Sequence, residues 1–131
     1  MTPETLPEVG RKVDRAAILA YAAITDDFNP LHVDADFAAG TPHGRPIAHG
    51  MLSLNLVWQS LRRAFGDAMP IALEVRFLRP VLQDTRVTAG GHRRAEGGYE
   101  VWVRDPAGQD LIRGIAWPGG QPQDSKPRGS A

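Results

Sequence analysis

The feature that most restricts this chain is one stretch, Ala48 to Phe65, which reads AHGMLSLNLVWQSLRRAF. As a helix it carries Met51, Leu52, Leu54, Leu56, Val57, Trp58, Leu61 and Phe65 around most of its circumference. A helix that is apolar on several faces has to be buried. Gly66 supplies a natural stop, and Arg62 and Arg63 put positive charge in the last turn, where the helix dipole favours it. After Pro70 the texture changes to a period of two, with Leu73, Val75 and Phe77 alternating with Glu74 and Arg76. The pattern predicts strands over 72–78, 85–89, 99–104 and 111–117, with the turn signal Asp105-Pro106-Ala107-Gly108 closing a hairpin. A sheet needs its apolar face covered, and the 48–65 helix is the only element long enough to cover it. The expected class is therefore α+β, helices first and an antiparallel meander after.

The segments before that helix are shorter. Asp14 is a good cap for a helix rich in Ala, with Ile18, Tyr21, Ala22 and Thr25 on one face. Asn29-Pro30 forbids its continuation, because proline keeps the preceding residue out of helical geometry. A short helix between Asp34 as cap and Gly40 as terminator comes next, then a loop over Thr41–Pro46 with two prolines and a glycine. The first eight residues are expected to be loosely held. The last twelve, GQPQDSKPRGSA, hold no large apolar side chain and read as a disordered tail, which leaves one domain over 1–119.

Composition removes several function classes. Lys plus Arg equals Asp plus Glu at 15 each, so the chain has no general attraction for nucleic acid or anionic lipid. Without cysteine there are no disulfides, thiolate nucleophiles or Cys-based zinc sites. No apolar run is long enough to cross a membrane, and the N-terminus has no apolar core of a secretory signal, so a cytoplasmic protein is expected.

Two segments carry groups suited to chemistry. In Thr25-Asp26-Asp27-Phe28-Asn29-Pro30-Leu31-His32, two carboxylates, an amide and an imidazole fall just after a helix. A turn stiffened by Asn29-Pro30 would let Asp27 and His32 converge on one water, which they could polarise and deprotonate near neutral pH. The same residues could equally cap a helix end, make a turn and hydrogen-bond locally, and spacing alone does not choose. In Arg45-Pro46-Ile47-Ala48-His49-Gly50-Met51, Gly50 opens the apolar helix. Free N–H groups there could hold a carbonyl oxygen gaining negative charge, or the glycine could simply permit close packing of helix on sheet. His49 could line such a site or support the helix start. His43 and the basic stretch His92-Arg93-Arg94 read as solvated, although that stretch could also meet the phosphates of a large anionic substrate. No metal-ligand spacing is present, and Gly90-Gly91 and Gly97-Gly98 flank a hairpin rather than open a phosphate-binding helix.

With both segments in view, the chain resembles the MaoC-like dehydratases, which include the (R)-specific enoyl-CoA hydratases. The resemblance rests on YAAITDDFNPLHVDADFA (Tyr21–Ala38), similar to the family's aromatic, small hydroxyl residue and D-x-N-P-x-H run, and on RPIAHGML (Arg45–Leu52). A weaker match is VRFLRPVLQDTRV (Val75–Val87). The resemblance implies a hot-dog fold, a long central helix wrapped by an antiparallel sheet, and a homodimer or higher homo-oligomer. It implies reversible hydration of a trans-2-enoyl thioester, carried by CoA or acyl carrier protein, to the (R)-3-hydroxyacyl thioester, with no cofactor and no metal. By that resemblance Asp27 and His32 are catalytic, Gly50 binds the thioester oxygen through its N–H, and Asn29 braces the loop, with Asn29 and His49 on the substrate side. The chain departs from the pattern at Asp26 and Gln83, where Gly is frequent, and at Trp58, whose indole is expected to shorten the acyl pocket. Two other readings are a hot-dog thioesterase, for which the 50–65 helix lacks an acid, and a non-catalytic or heterodimer-forming hot-dog subunit.

Overall fold

The computed structural model describes residues 2–120. Five strands, β1 (Thr5–Val13), β2 (Ile71–Phe77), β3 (Thr85–Arg93), β4 (Tyr99–Arg104) and β5 (Asp110–Pro118), form one antiparallel sheet in the order β1-β3-β4-β5-β2. Between β1 and β2 come α1 (Arg15–Thr25), α2 (Pro30–Val33), α3 (Ala35–Ala39) and α4 (Gly50–Phe65). The sheet curls around α4, as the resemblance implies. Ser53, Leu54, Leu56, Val57, Ser60 and Leu61 of α4 are buried, and Val13, Val87, Val101, Val103 and Ile112 of the strands meet them in one core. Tyr99, Val101 and Val103 are buried in alternation along β4, the pattern expected of a strand with one face on a core.

Several boundaries differ from the sequence reading. The first residues are not loose: β1 begins at Thr5 and pairs with β3 along its length. Leu6, Val9 and Val13 of β1 are buried, and the register slips between Leu6 and Val9. That bulge puts residues three apart on one face, so the strand shows no period of two. Gly90-Gly91 lies inside β3 rather than at its end, and a Cβ on Gly91 would stand 2.4 Å from the Glu100 carbonyl oxygen. The α4 helix starts at Gly50, two residues later than expected, and ends at Gly66 with φ 86°. Its surplus of apolar residues is only partly core: Leu52, Trp58 and Phe65 are half-buried, and Met51 is exposed. The expected caps hold, with the Ala17 N–H on Asp14 Oδ1 and the Asp36 and Phe37 N–H groups on Asp34 Oδ1. Of the tail expected from 120 on, residues 121–131 lie outside the described residues. Among the described residues no helix is long and apolar enough to cross a membrane.

Candidate active site

Helix α1 ends at Asp26, whose backbone takes the left-handed conformation (φ 56°), a geometry that favours glycine and that Asp tolerates better than most residues. The turn sends the chain back on itself, and the Asp27 N–H donates to the Ala22 carbonyl. Asp27 Oδ1 then accepts the Asn29 N–H at 3.3 Å, and Asn29 Oδ1 accepts the Leu31 N–H at 3.0 Å, capping α2. Pro30 occupies the first turn of α2, where no N–H is needed. Asn29 therefore uses its amide oxygen to brace the loop. At Gln83-Asp84, the residue in the left-handed region is Asp84 (φ 71°), one position after the substitution noted in the sequence.

The loop is stitched to the segment that opens α4. The Ile47 N–H donates to the Leu31 carbonyl at 2.9 Å, and His32 Nδ1 meets the Ile47 carbonyl at 2.7 Å. His49 Nε2 meets the Asp27 carbonyl at 3.0 Å. A carbonyl only accepts, so each of these ring nitrogens carries its hydrogen. In neutral His32 the lone pair is thus on Nε2, while in neutral His49 it is on Nδ1, which is buried without a partner among the described residues. The two imidazoles stack with centroids 3.9 Å apart, and Tyr21 tilts against His49 at 5.1 Å.

Asp27 Oδ2 lies 3.9 Å from His32 Nε2 and 3.9 Å from His49 Nε2. That separation is too long for a direct hydrogen bond and suits a bridging water. Oδ2 and His32 Nε2 are both acceptors in this arrangement, so a water between them would donate to each and keep a lone pair free. Beside them, the N–H groups of Gly50 and Met51 stand in the first turn of α4 with no protein acceptor among the described residues. Two clefts meet here. One of about 260 Å³ holds Tyr21, Thr25, Asp27, His49 and Met51, and one of about 340 Å³ is mainly apolar, with Ile47, Phe77, Pro80, Val81 and Ile112. His32 and Gly50 line both.

Asp27, His32 and His49 each offer a ligand atom within 4.8 Å of the others, close enough to surround a metal ion. The hydrogen bond to the Asp27 carbonyl, however, occupies the His49 nitrogen that faces the cluster with a proton. That nitrogen is therefore not free to ligate a metal while the hydrogen bond stands.

A family model described as "MaoC like domain" matches residues 2–98. The chain belongs to the MaoC-like domain family. It is similar to the (R)-specific enoyl-CoA hydratase of Aeromonas caviae, with 40% identity over 90 residues, covering 63% of this chain and 67% of that protein. It is also similar to 3-hydroxyacyl-thioester dehydratase X of Mycobacterium tuberculosis, with 32% identity over 102 residues, covering 77% of this chain but only 35% of that protein. Among solved structures, an (R)-hydratase from A. caviae superposes with a TM-score of 0.76 at 27% identity, covering 88% of this chain and 94% of that one. The fold is thus the hot-dog fold, and the named relatives place this MaoC-like chain among the hydro-lyases.

The structure brings Asp27, His32, His49 and Gly50 into one place and keeps Asn29 behind them. His43 and His92 lie elsewhere; His92 sits on β3, 3.3 Å from a Glu100 oxygen and edge-on to Trp102. Trp58 lines neither cleft; Arg62 lies over its ring at 5.4 Å. Several lining residues escaped the sequence reading; Met51 and Phe77 did so because both match their element's apolar periodicity and so look like core. Both are about half exposed, and this exposure, which no period reports, distinguishes them.

Proposed function

We propose that this protein hydrates a trans-2-enoyl thioester reversibly to the (R)-3-hydroxyacyl thioester. The observation that carries the reading is the pair of acceptors, Asp27 Oδ2 and His32 Nε2, set 3.9 Å apart beside the unpaired Gly50 N–H. A water donating one hydrogen to each would present its free lone pair to C3 of the substrate. As the C3–O bond forms, His32 Nε2 takes the water proton, and the π pair moves through C2 onto the thioester oxygen. The Gly50 N–H, at the positive end of the α4 dipole, stabilises that enolate, a contribution of about 3 kcal/mol for one such donor in other enzymes. The imidazolium then returns its proton to C2. Asp27 orients the water and balances the His32 charge, and the Ile47 carbonyl fixes the tautomer throughout. In the reverse direction the same groups eliminate water.

Asn29 supports this pair from behind, and His49 supports it from within the cleft. Asn29 holds the turn, and His49 clamps the Asp27 backbone while its ring supports that of His32. Either CoA or acyl carrier protein would serve as carrier. The unit is one domain over 1–119, and it works as a homodimer. The free edge of β2 ends in half-exposed Phe77 and Leu78, which a second copy would cover.

The test is incubation with crotonyl-CoA, following loss of the enoyl absorbance and separating the products on a chiral column. The expected product is (R)-3-hydroxybutyryl-CoA. Release of free CoA without hydration would instead favour a thioesterase, and no reaction at all would favour a non-catalytic subunit.

A further inference from the structure

Phe77 ends β2, pairs in register with Ile112 and lays its ring across Gly50. A Cβ built on Gly50 would stand 2.7 Å from Phe77 Cε2 and 2.9 Å from Cδ2, so the ring edge rests on the glycine backbone itself. The strand backbone holds the ring there: the Leu78 N–H that follows it bonds to the Leu111 carbonyl at 2.8 Å. The ring also stands where the polar cleft of Asp27 gives way to the apolar groove: Phe77 lines the groove and lies against Gly50, which with His32 is shared by the two clefts among the described residues.

We infer that Phe77 sets the acyl-chain length, by narrowing the passage from the reacting double bond into the apolar groove. This rests on the hydratase reading above. If C3 sits at Asp27 and His32 while the thioester oxygen sits at the Gly50 N–H, the chain beyond C3 has the groove of Ile47, Pro80, Val81 and Ile112 as its apolar continuation. A short enoyl group ends before the groove or within its mouth. A longer one must displace a phenyl ring from its contact with the helix start. Glycine at position 50 lets the ring close this far, so the same residue that leaves its N–H free also seats the barrier. Trp58, the bulky residue the sequence suggests for this purpose, lies outside both clefts.

The experiment compares kcat/KM for trans-2-enoyl-CoA substrates of four, six and eight carbons in the wild-type chain and in Phe77→Ala, Phe77→Leu and Trp58→Ala. Removing an obstruction from an apolar site changes discrimination by about tenfold or more. The wild-type rate constant should fall with chain length. Phe77→Ala should raise the eight-to-four-carbon ratio at least about tenfold, Phe77→Leu should raise it less, and Trp58→Ala should leave it alone. The ratio is internal to each variant, so a partial loss of folded protein does not move it; Phe77→Leu reports if Phe77→Ala fails to fold. A wild-type chain that hydrates all lengths equally, or an unchanged ratio in both Phe77 variants, would overturn the proposal and leave the hydratase reading standing. A wild-type chain that hydrates none of the three would bring down both.

Discussion

His49 is the residue whose role is best separated from its neighbours' by substitution. It is buried, it sits at the start of α4, and its Nε2–H holds the carbonyl of Asp27 rather than a side chain. Loss of that clamp lets the Asp27 carboxylate drift, and a misplacement of about 1 Å at a reacting centre costs roughly 10²-fold in rate. His49→Ala should therefore lower kcat by about that factor with a smaller change in KM. His49→Gln, which keeps an N–H donor at a similar reach, should recover part of the loss. Steady-state kinetics on both variants check this, and a His49→Ala enzyme at the wild-type rate would remove His49 from the account. At this scale the motif residues were legible because chemistry and spacing coincide: Asp27 and His32 flank an Asn-Pro turn that leaves them few conformations. Which nitrogen of each ring carries the hydrogen was not legible. That depends on the carbonyls of Ile47 and Asp27, and the contacts bridge residues fifteen and twenty-two apart in sequence.

Among the elements, β1 separates what periodicity reports from what pairing decides. The strand contains Pro7, Gly10 and three charged residues, and its bulge breaks the alternation, so its local signal is weak. It is held by long-range partners instead. It pairs with β3, and the Ser60 hydroxyl of α4 donates to the Pro7 carbonyl. Leu6→Ala should cost about 2–5 kcal/mol, the range for truncating a buried leucine, and chemical denaturation measures it. A cost under about 0.5 kcal/mol, typical of an exposed position, would mean that the first residues are loose after all. The helix α4 and strands β2, β4 and β5 were legible because their sequences carry apolar patterning and turn signals, although only β4 alternates strictly in burial. On the outer face, β4 and β5 share a charged cluster in which Arg113 bridges Glu100 and Asp110, and Arg104 also reaches Asp110. Burial pushes the Asp110 carboxyl up, but hydrogen bonds from Arg104 and Arg113 outweigh it and hold the group below its ordinary value of 3.8. A depressed carboxyl adds stability that is complete above the ordinary value and disappears as pH falls through the folded one. Acidification from about pH 6 to about pH 2 should thus destabilise the wild-type chain more than Asp110→Asn. Equal losses in denaturant midpoint would show that the cluster contributes nothing.

For the whole molecule, the sheet order puts β2 at an edge, and this edge ends beside the site, at Phe77. Closing that edge with a second copy would cover exposed apolar surface and place the acyl groove near the subunit boundary. Sedimentation should give about twice the 14.2 kDa chain mass; a monomer would contradict the homodimer. The class of fold and the motif that brings Asp27 and His32 together could be read from sequence, whereas the groove could not, since Ile47, Phe77, Pro80 and Ile112 meet only once the sheet has curled around α4. The central claim is that Asp27 and His32 act as a unit on one water. The direct measurement is the rate of crotonyl-CoA hydration by the wild-type chain, Asp27→Asn, His32→Ala and the double variant, each checked for folding. Each single change should cost roughly 10²–10⁴-fold, the usual worth of a positioned acid or base, and the double should cost little more than the worse single. Wild-type activity in either single variant, or losses that simply multiply in the double, would contradict the shared water.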